Sequence, residues 1–283
     1  MAAALPIEQR PWLLLLLAFV LVVAVLEGLV RSFWLRQAYD WRAFATSLGD
    51  VVGRRAVDAL GLSVALPVLA FVHRHRLTEL PLSTPQAFAL LFVGQEFCYY
   101  WYHRCAHRSA WFWASHCVHH SPRELTLAAA LRLGWTGKLT GTTLFFAPLV
   151  WLGFPVNAVL ATLALNLLYQ FWLHAPWLPR LGPLEWVLNT PAHHSVHHAS
   201  NAEYLDCNYG GVLIVFDRWF GTFVERRDDV PIRYGLTEAL DTYNPLRINA
   251  HGWRQLGRRL RAARGLRGWL VALFGPPGEP AGG

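Results

Sequence analysis

Charge is scarce in this 283-residue chain: Asp, Glu, Lys and Arg make up 15% of it, against 54% hydrophobic residues. Lysine is nearly missing, with Lys138 alone beside 24 arginines. The four cysteines (Cys98, Cys105, Cys117 and Cys207) form no C-x-x-C pair, which argues against a disulfide framework or a thiolate zinc site. They read as reduced, small apolar residues. No H-E-x-x-H occurs, so a zinc protease of that type is excluded, and no G-x-G-x-x-G offers a site for a flavin or nicotinamide. Internal repeats and low-complexity domains are absent as well.

So little charge leaves long apolar runs, the mark of an integral membrane protein. Residues 11–30 carry only Glu27, enough chain to cross a bilayer core of about 30 Å. "RSFWLRQ" follows in place of a small-residue cleavage site, so a retained helix is expected rather than a signal peptide. Residues 56–72 and 84–102 each suit one span. Residues 139–173 contain no Asp, Glu, Lys or Arg and are broken by "GFP" at 153–155, which predicts a helical hairpin. About five membrane-spanning or membrane-embedded helices are therefore expected in an all-α integral membrane protein.

The formal charge of +7 does not point to nucleic acid, because the arginines flank apolar spans and crowd the C-terminal region. Lipid head groups are the expected partner. Loop 31–55 holds five arginines, loop 73–83 two, and the chain after 198 eleven. The positive-inside rule then puts loop 31–55, the histidine clusters and the C-terminus in the cytosol. Residues 253–274 read as a basic amphipathic helix lying on the membrane, and "GPPGEPAGG" as a disordered tail.

Histidine is what the chain has in excess, 13 in all. His103 and His107 are spaced i, i+4; His116, His119 and His120 are spaced i, i+3, i+4, and His194, His197 and His198 repeat that pattern. On a helix such spacings stack side chains on one face, a natural metal-ligand arm. Eight imidazoles, with His174 as a ninth, exceed the three or four that one zinc takes and would supply two metals with about four each. Imidazole suits Fe, Cu, Zn and Ni alike; membrane placement and pairing favour iron and O2 chemistry. The bland alternative is a polar patch at a membrane interface. His73, His75 and His251 are read that way, lacking partners at helical spacing, and His193 would point off the face shared by His197 and His198. A haem-binding or metal-transporting membrane protein would instead place isolated histidines inside the spans.

Three further residues are candidate catalytic or orienting groups. Glu96, two turns before His103, could accept a hydrogen bond from a ligand's second N–H or make a helix–helix hydrogen bond. Asp206 and Asn208 in "LDCNYGG" could orient ligands or shape a glycine turn. Asp217, Trp219 and Gly221 read as packing and turn chemistry.

HRCAH, HCVHH and HSVHH resemble the H-x3-H, H-x2-HH, H-x2-HH pattern of the fatty acid hydroxylase (sterol desaturase) superfamily of integral-membrane diiron enzymes. "NLLYQFWLH", "LGPLEWVLNTPAHHSVHHASN" and "DCNYGGVLIVFDRWFGTF" look closest to its alkylglycerol monooxygenase branch, and the resemblance covers roughly residues 90–250. It implies helices capped by a cytosolic, histidine-rich diiron site with His103, His107, His116, His119, His120, His194, His197 and His198 as ligands, and His174 near the metals. The expected organisation is N-terminal transmembrane helices over 1–83, the hydroxylase domain over 84–250, and a basic helix and tail over 251–283. The expected activity is O2-dependent hydroxylation of a membrane lipid with two Fe ions, replaceable by Zn in recombinant protein, with desaturation or sterol methyl oxidation as the alternative outcome. Electrons would come from an external ferredoxin or cytochrome b5-type donor. Arg108 follows the first motif where the animal enzymes carry an acidic residue; arginine only donates hydrogen bonds, so tetrahydropterin is not expected and an anionic partner is.

Overall fold

The computed structural model describes residues 11–278 and is helical throughout, with two isolated bridges as the only extended pairing among them. α1 (Pro11–Leu29) runs on as a π-helical turn through Trp34. α2 (Trp41–Ala59) starts at Asp40, whose carboxylate accepts from the amides of Arg42 and Ala43 at 3.0 and 2.9 Å. α3 (Ala65–Arg74) is short, whereas α4 (Pro85–Arg108) spans 24 residues. Pro85 and the capping hydroxyl of Thr84 set the start of α4. α5 (Ala110–His120) follows after a single extended residue, Ser109, and stops before Pro122. α6 (Gly137–Thr140) and α7 (Ala147–Leu152) are short, and α8 (Val156–Leu173) is long and apolar. α9 (Pro191–His197), α10 (Val215–Trp219), α11 (Pro245–Ala262) and α12 (Gly265–Phe274) complete the order.

Two helices, Leu15–Trp34 and Val156–Leu173, are long and apolar enough to cross a membrane; Ala65–Arg74, Thr142–Leu152 and Gly265–Phe274 are apolar but shorter. Against the expected five or so membrane-spanning or membrane-embedded helices, two are long and apolar enough to cross, and the other apolar ones are shorter. Residues 56–72 do not form one span. α2 ends at Ala59, Gly61 takes a left-handed φ of +66°, and α3 begins afresh. The break expected at 153–155 is present: Gly153 has φ +125° because its backbone lies against the Thr78 carbonyl, where a Cβ would sit 2.4 Å away.

That contact orients the molecule. The Leu77 and Leu80 amides donate to the carbonyls of Trp151 and Gly153, at 2.8 and 3.1 Å, so loop 75–83 and the 153–155 turn share one end. α4 and α8 both run from there and both finish among histidines at the other end. Phe88, Leu90 and Val93 on α4, Leu165 and Leu167 on α8, and Leu15, Phe19 and Val22 on α1 are exposed, an apolar belt that suits hydrocarbon rather than water. α1 is tied to the histidine end by buried Glu27, which accepts from the Leu127 amide and the Trp177 indole, both at 2.8 Å.

The C-terminal expectation needs correction too. Residues 253–274 are two helices, parted at Ala263–Arg264. α11 does not simply lie on a membrane: its apolar residues Ile248, Gly252 and Leu256 are buried, and Gly252 sits so close to Ala114 on α5 that a Cβ would meet its backbone at 2.6 Å. α12 exposes Leu266, Trp269, Leu270 and Phe274. Gly275 is anchored by the Ala110 amide at 3.0 Å, and residues 279–283 of the expected disordered tail lie outside the described chain.

The shared end gives a testable arrangement. Cysteines placed at exposed Ala45 and Ala202 should react with a membrane-impermeant thiol reagent from one side of the membrane, and one at exposed Thr78 from the other. Labelling of positions 45 and 202 from opposite sides would contradict it.

Candidate metal centre

Every histidine at helical spacing faces the same interior point. α4 delivers His103 and His107, α5 delivers His116, His119 and His120, the end of α8 delivers His174, and α9 with its C-cap delivers His194, His197 and His198. They sort into two groups able to hold a metal ion: His103, His107, His116, His120 and His197, and His119, His174, His194 and His198. Within each group one ligand atom per residue lies within 4.8 Å of all the others. His174 is therefore a full member of the second group, and the division is five and four rather than four and four.

The hydrogen bonds at the back of the rings fix their orientation. The Nδ1 atoms of His103, His119, His174 and His197 face the carbonyls of Tyr209, Arg132, Gln170 and Cys207 at 2.9, 3.1, 2.9 and 2.8 Å. A carbonyl only accepts, so each Nδ1 carries the proton and each Nε2 is left as a bare lone pair. Yet His119 Nε2 and His174 Nε2 stand 3.3 Å apart, two acceptors face to face in a buried site. The Nε2 atoms of His107, His120 and His197 are buried without any partner. Such an array is costly unless a cation sits among the nitrogens, and backbone carbonyls behind metal-bound imidazoles are the usual support. Burial also pushes the pKa of His119 down to about 4 and that of His197 to about 3. Both are neutral at pH 7, the state a ligand requires.

Other histidines lie elsewhere. His193 packs its ring against Phe223 at 5.2 Å, as its position off the shared face predicts. His73 and His75 sit at the far end near loop 75–83, and His251 is on α11.

The three orienting candidates separate. Asp206 has one oxygen 3.9 Å from His107 Nδ1 and the other 2.7 Å from Arg108, so it does stand behind a site histidine. Arg108 is accordingly committed to Asp206 rather than held open for an external anion, and the cavity beside it contains carboxylates after all. Glu96 does not approach a histidine. One oxygen accepts from Asn166 on α8 at 2.5 Å, and the other from the amides of Val212 and Leu213 at 2.8 and 2.9 Å. Its helix–helix role prevails because the folded 210–213 turn brings two amides to it. Asn208, at φ +54°, bonds the His193 and Val224 carbonyls and the Val224 amide, stitching loops without touching the nine rings.

Support that spacing could not reveal comes from two residues. Arg132 is buried and bonds the Ala43 carbonyl at 2.9 Å, fixing the loop whose carbonyl holds His119. Asp217 accepts from the amides of Tyr209 and Gly210, both at 2.7 Å, and from Thr222, so it sets the loop whose carbonyl holds His103.

Two cavities reach the nine rings from different sides. One of about 220 Å³ touches His116 and His119, one ring from each group, and is otherwise walled by Tyr102, Phe112, Phe146, Leu163 and Leu167, with Arg54, Asp58 and Lys138 also lining it. The other, about 750 Å³, meets His107, His120 and His197 and is lined by Arg108, Asp206, Glu238, Gln255 and Arg258. The apolar one approaches the seam between the two groups.

Residues 88–222 match the fatty acid hydroxylase family model. This segment resembles a fatty acid hydroxylase domain. All nine clustered histidines lie inside it. The chain is 36% identical to the alkylglycerol monooxygenase of Xenopus tropicalis over 258 residues, which is 91% of this chain and 57% of that protein. Against the alkylglycerol monooxygenase of Homo sapiens it is 39% identical over 82% of this chain and 52% of the other. The ornithine lipid hydroxylase of Rhizobium tropici is 29% identical over 73% of this chain and 65% of its own. The chain thus spans about half the length of the alkylglycerol monooxygenases that it matches. No solved structure matches it.

The supporting role of Asp217 separates it from its neighbour Trp219, which is exposed. Asp217→Ala leaves two buried amides unpaired and should cost about 3 kcal/mol of stability, whereas Trp219→Ala should cost roughly 0.5 kcal/mol or less. Thermal unfolding in detergent reads the difference; equal losses would contradict the role given to Asp217.

Proposed function

We propose that the chain is an O2-dependent hydroxylase of a membrane lipid that works with two iron ions. One ion would be held by His103, His107, His116, His120 and His197, the other by His119, His174, His194 and His198. The observation that carries this reading is the pair of adjacent imidazole groups with an apolar cavity opening on one ring of each. The family match and the lipid monooxygenases and hydroxylases among its relatives support the same assignment.

Two irons in these positions would supply reductive activation of O2 and removal of hydrogen from a substrate C–H bond. The net change is R–H + O2 + two electrons + two protons to R–OH + H2O. The protein's own part is to hold geometry and exclude water. Backbone carbonyls at Tyr209, Arg132, Gln170 and Cys207 keep four rings in one tautomer and orientation. Tyr102, Phe112 and Phe146 keep the substrate side dry, and the apolar belt leaves the cavity beside hydrocarbon. The polar cavity on the other side, with the Arg108–Asp206 pair beside His107, is where an external reductant of the ferredoxin or cytochrome b5 type would deliver electrons. In this reading loop 31–55, the metal centre and the C-terminus are cytosolic. Hydroxylation is favoured over desaturation because the relatives matched over most of this chain are named monooxygenases and a hydroxylase.

Purified protein should carry two iron ions per chain and incorporate one atom of 18O from 18O2 into a lipid when given reduced ferredoxin. His174→Ala and His120→Ala should each abolish incorporation, while His73→Ala keeps most of it. Tetrahydropterin should not be required. One ion per chain in active enzyme, or 18O arriving from water, would contradict the reading.

A further inference from the structure

The apolar cavity at the seam of the two histidine groups contains a charge that its chemistry does not need. Arg54, on α2, lines it together with Asp58 and Lys138. Lys138 Nζ stands 2.7 Å from Asp58, so that carboxylate already has a cation. Arg54 makes no ion pair within 4.0 Å and no hydrogen bond among the described residues, and the one carboxylate that acts on it, at longer range, is the same Asp58. The local sum is therefore one surplus positive charge, carried by a fork of N–H donors, on the wall of a space that Tyr102, Phe112, Phe146, Leu163 and Leu167 line together with a few hydroxyls.

A guanidinium beside an apolar cavity is expensive unless an anion meets it. The surrounding segments are built to keep the wall in place. Trp135, another lining residue, lies flat on Gly53, where a Cβ would meet its ring at 2.1 Å, and its indole N–H bonds the Asp50 carbonyl at 3.1 Å. Gly134 is pressed against Ser115 of α5, next to His116. The Val64 amide donates to the Lys138 carbonyl at 3.3 Å, closing the corner between α2 and the start of α6.

We propose that Arg54 binds the anionic head group, phosphate or carboxylate, of a lipid whose first chain carbons lie in this cavity against His116 and His119. The proposal rests on the hydroxylase reading and adds to it the substrate class. At about 220 Å³ the cavity is smaller than the roughly 300–1,000 Å³ of sites that enclose a whole small molecule. Only the part of a lipid next to its head fits, and the remaining chain stays in the bilayer. The carbon presented to the metals is consequently close to the head group, not in mid-chain.

Binding can be measured apart from turnover. Iron-loaded protein in phosphatidylcholine nanodiscs is titrated with hexadecyl phosphate, palmitate and hexadecanol, which share one chain, and with inorganic phosphate as competitor. The two anionic probes should bind about tenfold more tightly than hexadecanol, the value of one charge-assisted contact. Arg54→Gln should erase that preference with hexadecanol binding and iron content unchanged, and Arg54→Lys should restore part of it. Lys138→Gln should also weaken the anions, because Asp58 is then free to neutralise Arg54, and Asp58→Asn should strengthen them. The stronger of hexadecyl phosphate and palmitate identifies the head group. Equal binding of hexadecanol, a preference that survives Arg54→Gln, or inorganic phosphate competing as well as hexadecyl phosphate would overturn the proposal. A protein that shows the preference but oxidises no lipid would overturn the hydroxylase reading instead.

Discussion

Imidazole nitrogens with exposed lone pairs repel one another, and this chain gathers nine such rings in one place, eight of them buried. Four of them have their outer nitrogens tied to carbonyls, which leaves their inner nitrogens as acceptors pointing at one another. His119 Nε2 against His174 Nε2 at 3.3 Å is the plainest instance. A buried polar atom without a partner costs about 1–3 kcal/mol, so several together would exceed a large part of the stability of an ordinary domain. Metal ions among these nitrogens would turn that cost into binding energy, and metal binding and folding would then be coupled at this end of the molecule.

The rest of the architecture answers the demand for fixed carbonyls and fixed helices. Gln170 belongs to the last turn of α8, whereas Arg132, Cys207 and Tyr209 lie in irregular segments that would wander if left alone. Buried polar contacts hold these segments: the Arg132 side chain on the Ala43 carbonyl, Asp217 on the Tyr209 and Gly210 amides, and Asn208, next to Cys207, on the His193 and Val224 carbonyls. The small residues act at close approaches. Gly252 lets α11 settle on α5, and Gly134 lets the loop after His120 press against the same helix. Glu27 does the equivalent for α1, drawing its C-terminal half onto the segments that follow the histidines.

The gathering of the histidines was legible in the sequence because helical spacing alone stacks His103 on His107 and His194 on His198. His174 could be added only as a ninth imidazole and not by spacing, since it stands by itself in the chain and joins its group through the packing of α8 on α9. Glu96 shows the limit of spacing arguments. Two turns before His103 is the right register for a helper, but its partners come from α8 and the 212–213 turn, at least 70 positions along the chain. The break at 153–155 could be read from Gly and Pro, whereas the one at Gly61 was hidden because the apolar composition continues past it. Arg54 gave no signal at all. Its isolation depends on Lys138 having claimed Asp58, a fact of folding rather than of pattern.

The central claim is that two metal ions sit side by side, each inside its own ring of histidines. Anomalous diffraction at the iron edge from crystals of the iron-loaded protein tests it most directly. The account predicts two peaks, one enclosed by His103, His107, His116, His120 and His197 and the other by His119, His174, His194 and His198. A single peak, or peaks away from these nine side chains, would contradict it.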